Sequence, residues 1–176
     1  MPANNQLELA IPDIGGPARG DGPPPLRILA PVGLPGQSEA ALTVAARLAA
    51  AAGGQLLLTH VRIFDPPMPG CPGGFCAETV DAAAALLDDA LLTAWAVGAA
   101  GATAAIVNAA RADVARAIAR QAASWGAGLI VMTRRPRPAI SCLLLGSDVP
   151  DQVMRAAQCP VLAVPTEGRF SRHARG

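Results

Sequence analysis

Lysine and tyrosine are absent from this chain of 176 residues, whose fourteen basic residues are all arginine. Without lysine there can be no P-loop lysine cradling phosphates and no Schiff-base amine. With no tyrosine, two tryptophans and three phenylalanines, stacking platforms for single-stranded nucleic acid are poorly supplied. A net charge of +1 gives no general pull toward a nucleic-acid backbone. No run approaches the roughly 18 apolar residues of a membrane span; the longest candidate, residues 40–52, is broken by Thr43 and Arg47. The start of the chain lacks a basic segment followed by an apolar one, so a secretory signal is not expected and a cytoplasmic setting is. Cys71, Cys76, Cys142 and Cys159 follow no zinc spacing. They read as reduced thiols, with Cys71 and Cys76 either a redox pair or exposed loop residues.

What the chain does have is alanine, glycine and proline. Hydrophobic residues make up 52% and charged ones only 15%, enough for one sizeable core. Residues 1–25 are rich in Pro, Gly and polar side chains and read as a flexible leader. Short apolar runs then alternate with helical patterns. "LRILAPV" (26–32) reads as a buried strand, and a helix follows from a Ser38 cap to about residue 52, with Leu42, Ala45, Leu48 and Ala49 inward. Gly53-Gly54 ends that helix, and "QLLLTHVRI" (55–63) is a second strand. The Pro/Gly-rich stretch "FDPPMPGCPGGFCAE" is expected to hold no regular structure.

A long Ala/Leu helix covers about 79–97, and "ATAAIVNA" (102–109) is a weaker strand. Asp113 is placed to cap a helix over 114–124 that exposes Arg116 and Arg120. "GLIVMT" (128–133) is a fourth strand, apolar throughout as parallel strands covered on both faces are. A helix starts at Ser147 or Asp148, with Pro150 in its first turn, and "CPVLAVP" (159–165) is the fifth strand. Residues 167–176 form a basic tail. Crossovers of this length predict a five-stranded parallel sheet with helices on both faces over residues 26–166. Ligands in such sheets bind beyond the carboxyl ends of the strands. That points to the loops after strands one and four, "GLPGQ" and "TRRPRPAISCLLLGS".

The pieces "ILAPVG", "SEAAL", "AARLAAAAGGQLLLTHV", "GAGLIVM", "LLLGS" and "CPVLAVP" resemble, in their order and spacing, the universal stress protein family across residues 26–165. The resemblance implies an adenine nucleotide alpha hydrolase-like sheet in the order 3-2-1-4-5, a stress-response role, and a homodimer formed through the last strand, Val161, Leu162, Ala163 and Val164. One branch of that family binds ATP through a Gly-x2-Gly-x9-Gly-[Ser/Thr] loop after the fourth strand. Here Thr133 and Pro136 take the two glycine positions, while Gly146 and Ser147 keep the end of the pattern. Gly33 replaces the aspartate that usually follows the first strand, and Asp148 reads as an extra residue before the last helix.

A phosphate cradle needs converging backbone N–H groups and glycine freedom. Proline has no N–H and pushes the residue before it toward extended geometry. The expectation is therefore that no nucleotide cofactor is held in the usual way and that the chain works through an unidentified protein partner. The alternative is a sensor for ATP, AMP or another anionic nucleotide, with Arg134, Arg135 and Arg137 as guanidinium forks. The candidate ligand residues are Pro31, Val32, Gly33, Val107, Met132, Arg134, Arg135, Arg137, Gly146 and Ser147.

No catalytic constellation is expected, and no enzyme. His60 reads as a strand-end histidine bonded to neighbouring backbone, and His173 lies in the tail. Asp65 and Asp113 form no spaced acid pair, Asp88-Asp89 read as a solvated helix face, and Cys159 reads as core packing.

Overall fold

A computed structural model describes residues 24–33, 35–65, 75–76, 78–134 and 148–166. The expected leader and tail, and the reading of Cys71 and Cys142, lie outside these residues. Five strands run parallel: β1 (Arg27–Pro31), β2 (Gln55–Asp65), β4 (Ala102–Ala109), β5 (Leu129–Arg134) and β6 (Val161–Pro165). Their order is β4-β2-β1-β5-β6, which is the 3-2-1-4-5 arrangement expected from the sequence. Each crossover carries a helix: α1 (Glu39–Ala51), α2 (Val80–Ala96), α3 (Val114–Trp125) and α4 (Val149–Ala156).

One difference lies in the Pro/Gly-rich stretch. β2 runs two residues further than its apolar run, and Phe75–Cys76 forms a short antiparallel strand, β3, against its end. Proline is excluded only where it sits; Phe75 and Cys76 keep their N–H groups and pair with Asp65 and Phe64.

The sheet separates two cores because successive strand residues face opposite sides. Ile28, Ala30, Leu56, Leu58 and Val131 face α1 and α2, whereas Leu29, Leu57, Ile130 and Met132 face α3 and α4. Alanine on the inner helix faces (Ala41, Ala45, Ala46 and Ala49 of α1) keeps those helices close to the strands. Leu48, expected on that face, is 37% exposed. At about 100° per residue it falls roughly 90° from the centre of the buried stripe. Among the described residues no helix is long and apolar enough to cross a membrane.

The helix starts differ from their sequence signatures. Thr79 caps α2 by accepting from the Ala82 N–H at 3.1 Å. Ser38 stands at the start of α1, but its hydroxyl accepts from the Gly33 N–H at 3.2 Å instead of a helix amide. Asp113 spends its carboxylate on Arg116 at 2.6 Å, so it caps nothing with its side chain.

Candidate functional site

Parallel strands leave their carboxyl ends open on one rim, and β1 and β5 meet there as neighbours with crossovers of opposite direction. Pro31 lies across from Thr59, and Thr59 across from Ala105; one step outward Val61 lies across from Val107. Leu29, Leu57, Val61, Ala105 and Met132 all belong to the α3/α4 core. Pro31, Thr59, Met132 and Val107 therefore form an apolar floor on that side of the rim, by the period of two. The side chain of Val32 is buried on the other side, against α1. Only its backbone reaches the rim: its N–H donates to the Thr59 carbonyl at 2.8 Å.

Thr59 was not among the residues singled out from sequence. It is fully buried, and its hydroxyl has no hydrogen-bond partner. A lone threonine in an apolar run carries no signal that would mark it.

Gly33 sits in a conformation open to any residue, since its φ is not positive. A Cβ added there meets only Gln37 atoms, at 3.5 Å. Its amide is held by Ser38, which fixes the exit of β1. The absent aspartate is thus a loss of chemistry at a position that has room for it.

Across the rim, β5 delivers Thr133 and Arg134. Arg134 reaches over to α4, where its Nη2 lies 3.5 Å from Asp151 Oδ1. Arg135, Pro136, Arg137, Gly146 and Ser147 lie outside the described residues.

The start of α4 is where a phosphate would be held, because unpaired amides and the helix dipole converge there. Asp148 occupies the N-cap position, and its Oδ1 accepts from the Val149 N–H at 2.9 Å. The next residue, Pro150, has no N–H to offer. Asp151 places a further carboxylate in the first turn. Asp148 thus occupies one amide of the helix start, and Asp151 faces Arg134.

His60 opens a second cluster, on the α1/α2 side. It is 6% exposed. Its Nδ1 lies 2.8 Å from the Val32 carbonyl, the expected backbone bond, and its Nε2 lies 2.6 Å from Glu78 Oε2. Arg62 donates from Nη2 to the Glu78 carbonyl at 2.6 Å and from Nη1 to Asn108 Oδ1 at 3.1 Å. Glu78 gave no sign in the sequence, where it stands 18 residues from His60 beyond a Pro/Gly-rich stretch.

Cys159 is half-buried against the α3/α4 core, and burial pushes its thiol above the usual range. It borders a cavity of about 240 Å³, with Ala122, Ala123, Gly126, Ala127 and Gln158, at the amino-terminal end of β6, away from the strand-end rim. Among the described residues no group of three or more His, Cys, Asp or Glu side chains gathers as metal ligands would.

This fold, with its rim at the β1/β5 switch point, defines an α/β module of the adenine nucleotide alpha hydrolase type. The model of the Universal stress protein family matches residues 26–165, and the chain belongs to that family. Among solved structures it is similar to a universal stress protein in complex with cAMP (25% identity, TM-score 0.63, covering 82% of this chain and 99% of that one). A protein from Mycobacterium tuberculosis is 25% identical, with TM-score 0.51, over 81% of this chain and 96% of the other. A universal stress protein from Archaeoglobus fulgidus shares the fold at 22% identity and TM-score 0.59, over 79% of this chain and 98% of that one. No curated protein matches the chain.

Proposed function

We propose that this chain is a universal stress protein module of the branch that does not hold ATP, and that it acts through protein contacts rather than catalysis. Its cytoplasmic partners include a second copy of itself, joined through β6. The observation that carries the reading is the start of α4. There the Asp148 carboxylate sits on the Val149 N–H and Pro150 follows it. A triphosphate at that helix start would have to displace one carboxylate and lie beside another, Asp151. Gly33 adds to this, because it brings no carboxylate to the base side of the rim.

The edge position of β6 supports the contact role. β6 pairs with β5 on one side, and Leu162 is 40% exposed. A short apolar edge of this kind invites pairing with another chain. Calorimetric titration with ATP at low salt, together with light scattering at micromolar concentration, tests both halves. No ATP heat and a dimer mass are expected; saturable ATP binding by a monomer would overturn the reading.

A second reading is favoured by the relative in complex with cAMP. A cyclic monophosphate needs no triphosphate cradle, and the floor of Pro31, Met132 and Val107 is apolar enough for a base. In this reading the chain senses a small nucleotide, and Arg134, Arg135 and Arg137 supply the anion contacts. Thermal-shift measurement with cyclic nucleotides, AMP and phosphate at low salt tests it. A shift that survives Arg135→Ala removes the arginines from the account.

A further inference from the structure

The contact between His60 and Glu78 has a requirement that the rest of the fold does not. The Val32 carbonyl can only accept, so a hydrogen bond from the His60 Nδ1 facing it at 2.8 Å requires the hydrogen on that nitrogen. Neutral imidazole then presents a bare lone pair at Nε2. At 2.6 Å from a carboxylate oxygen, that lone pair needs a proton between the two atoms. The proton sits on the imidazole or on the carboxyl, and either way one proton belongs to the pair. Without it, the single hydrogen of neutral imidazole serves only one of the two contacts: on Nδ1 it leaves two acceptors facing each other at Glu78, and on Nε2 it leaves them facing each other at Val32.

Which partner would move is set by burial. The His60 side chain is 7% exposed and pinned by Val32, whereas that of Glu78 is 24% exposed and reaches water. Glu78 immediately precedes Thr79, the cap of α2, and its own carbonyl holds Arg62 Nη2 at 2.6 Å. Displacing Glu78 therefore pulls on the first turn of α2.

Among the described residues, the groups around the pair are these. From β2, Arg62 brings a permanent positive charge, and its Nε is buried without a partner. Asn108 from β4 and the Val32 carbonyl from β1 are neutral. The start of α1 contributes the Ser38 hydroxyl, which accepts from the Gly33 N–H, and Asp81 stands exposed in the first turn of α2.

We infer that His60 and Glu78 form a single-proton latch that docks the start of α2 onto the ends of β1 and β2, and that loss of the proton releases it. The latch also touches the rim, because the carbonyl it holds belongs to Val32, the residue before Gly33. It stands on its own geometry and does not depend on whether any nucleotide binds.

The experiment is hydrogen–deuterium exchange of the full chain across about pH 6 to 9, corrected for intrinsic exchange. In the wild type, protection of the first turn of α2 should fall by about tenfold across that range, as expected for losing one charge-assisted bond. In Glu78→Gln, whose amide donates to Nε2 without an ionisable proton, the profile should be flat. Imidazole nitrogen NMR on the wild type gives a second readout, with His173→Gln assigning the other histidine. His60 Nδ1 should stay protonated throughout, while Nε2 changes state together with the exchange profile. A wild-type profile parallel to that of Glu78→Gln, or an Nδ1 without hydrogen, would overturn the latch.

Discussion

Gly33 and Gly54 look alike in the sequence and do opposite things. At Gly33 an added Cβ finds only Gln37 at ordinary contact distance, whereas at Gly54 it would come within 2.3 Å of the Leu26 carbonyl oxygen. Gly33→Asp should fold with a Tm within about 2 °C of wild type, as surface substitutions generally do. Gly54→Ala must push β2 away from the start of β1 and should lower Tm by about 3–8 °C, in line with overpacking costs. Thermal unfolding by circular dichroism checks both.

Cys159 gives a test of burial at the same scale. Burial raises its pKa, so less thiolate is present at a given pH, and the thiolate is the form that reacts. Alkylation of its peptide, followed by mass spectrometry, should be several-fold slower in the folded chain than in urea, and faster as pH rises. Equal rates in the two states would contradict the packing described here.

At the scale of elements, α4 is the segment on whose start the proposed function rests. It is eight residues long, so a single cap matters to it. Asp148→Ala should cost about 1 kcal/mol, a typical N-cap loss, and lower Tm by about 2–4 °C. A variant with unchanged Tm would mean that the carboxylate is free for other use.

The five long strands were readable as apolar runs because β1, β2 and β5 are covered on both faces and need no polar alternation. The α2 helix was readable from its alanine and leucine run, but its Thr79 cap was not singled out. β3 was not readable, since it borrows its pairing from the end of β2 and lies in a stretch that composition marks as irregular. Ser38 and Asp113 have the residue types of caps, yet their side chains are engaged elsewhere, with Gly33 and Arg116. At the rim, the floor residues Pro31, Met132 and Val107 could be placed from strand order alone. Thr59 and Glu78 could not, because their roles depend on neighbours distant in sequence.

For the whole molecule, two properties follow from the arrangement of strands. β6 ends the parallel order, so the dimer expected through Val161–Val164 would continue the sheet or pack its edge residues. Leu162→Arg places a charge on that edge and should shift the light-scattering mass from dimer to monomer while leaving the far-UV spectrum intact. A monomeric wild type would remove the dimer from the account.

The other property is the start of α4, with Asp148 on the Val149 N–H and Pro150 after it, on which the proposed role rests. Its most direct test is calorimetric titration of ATP into the full-length chain at low salt, where electrostatic attraction is least screened. No saturable heat is expected at ligand concentrations up to about 1 mM, the weak end of specific binding. Saturable binding at micromolar ATP that persists at high salt would contradict it, because main-chain amides would then be holding the phosphates despite Asp148 and Pro150.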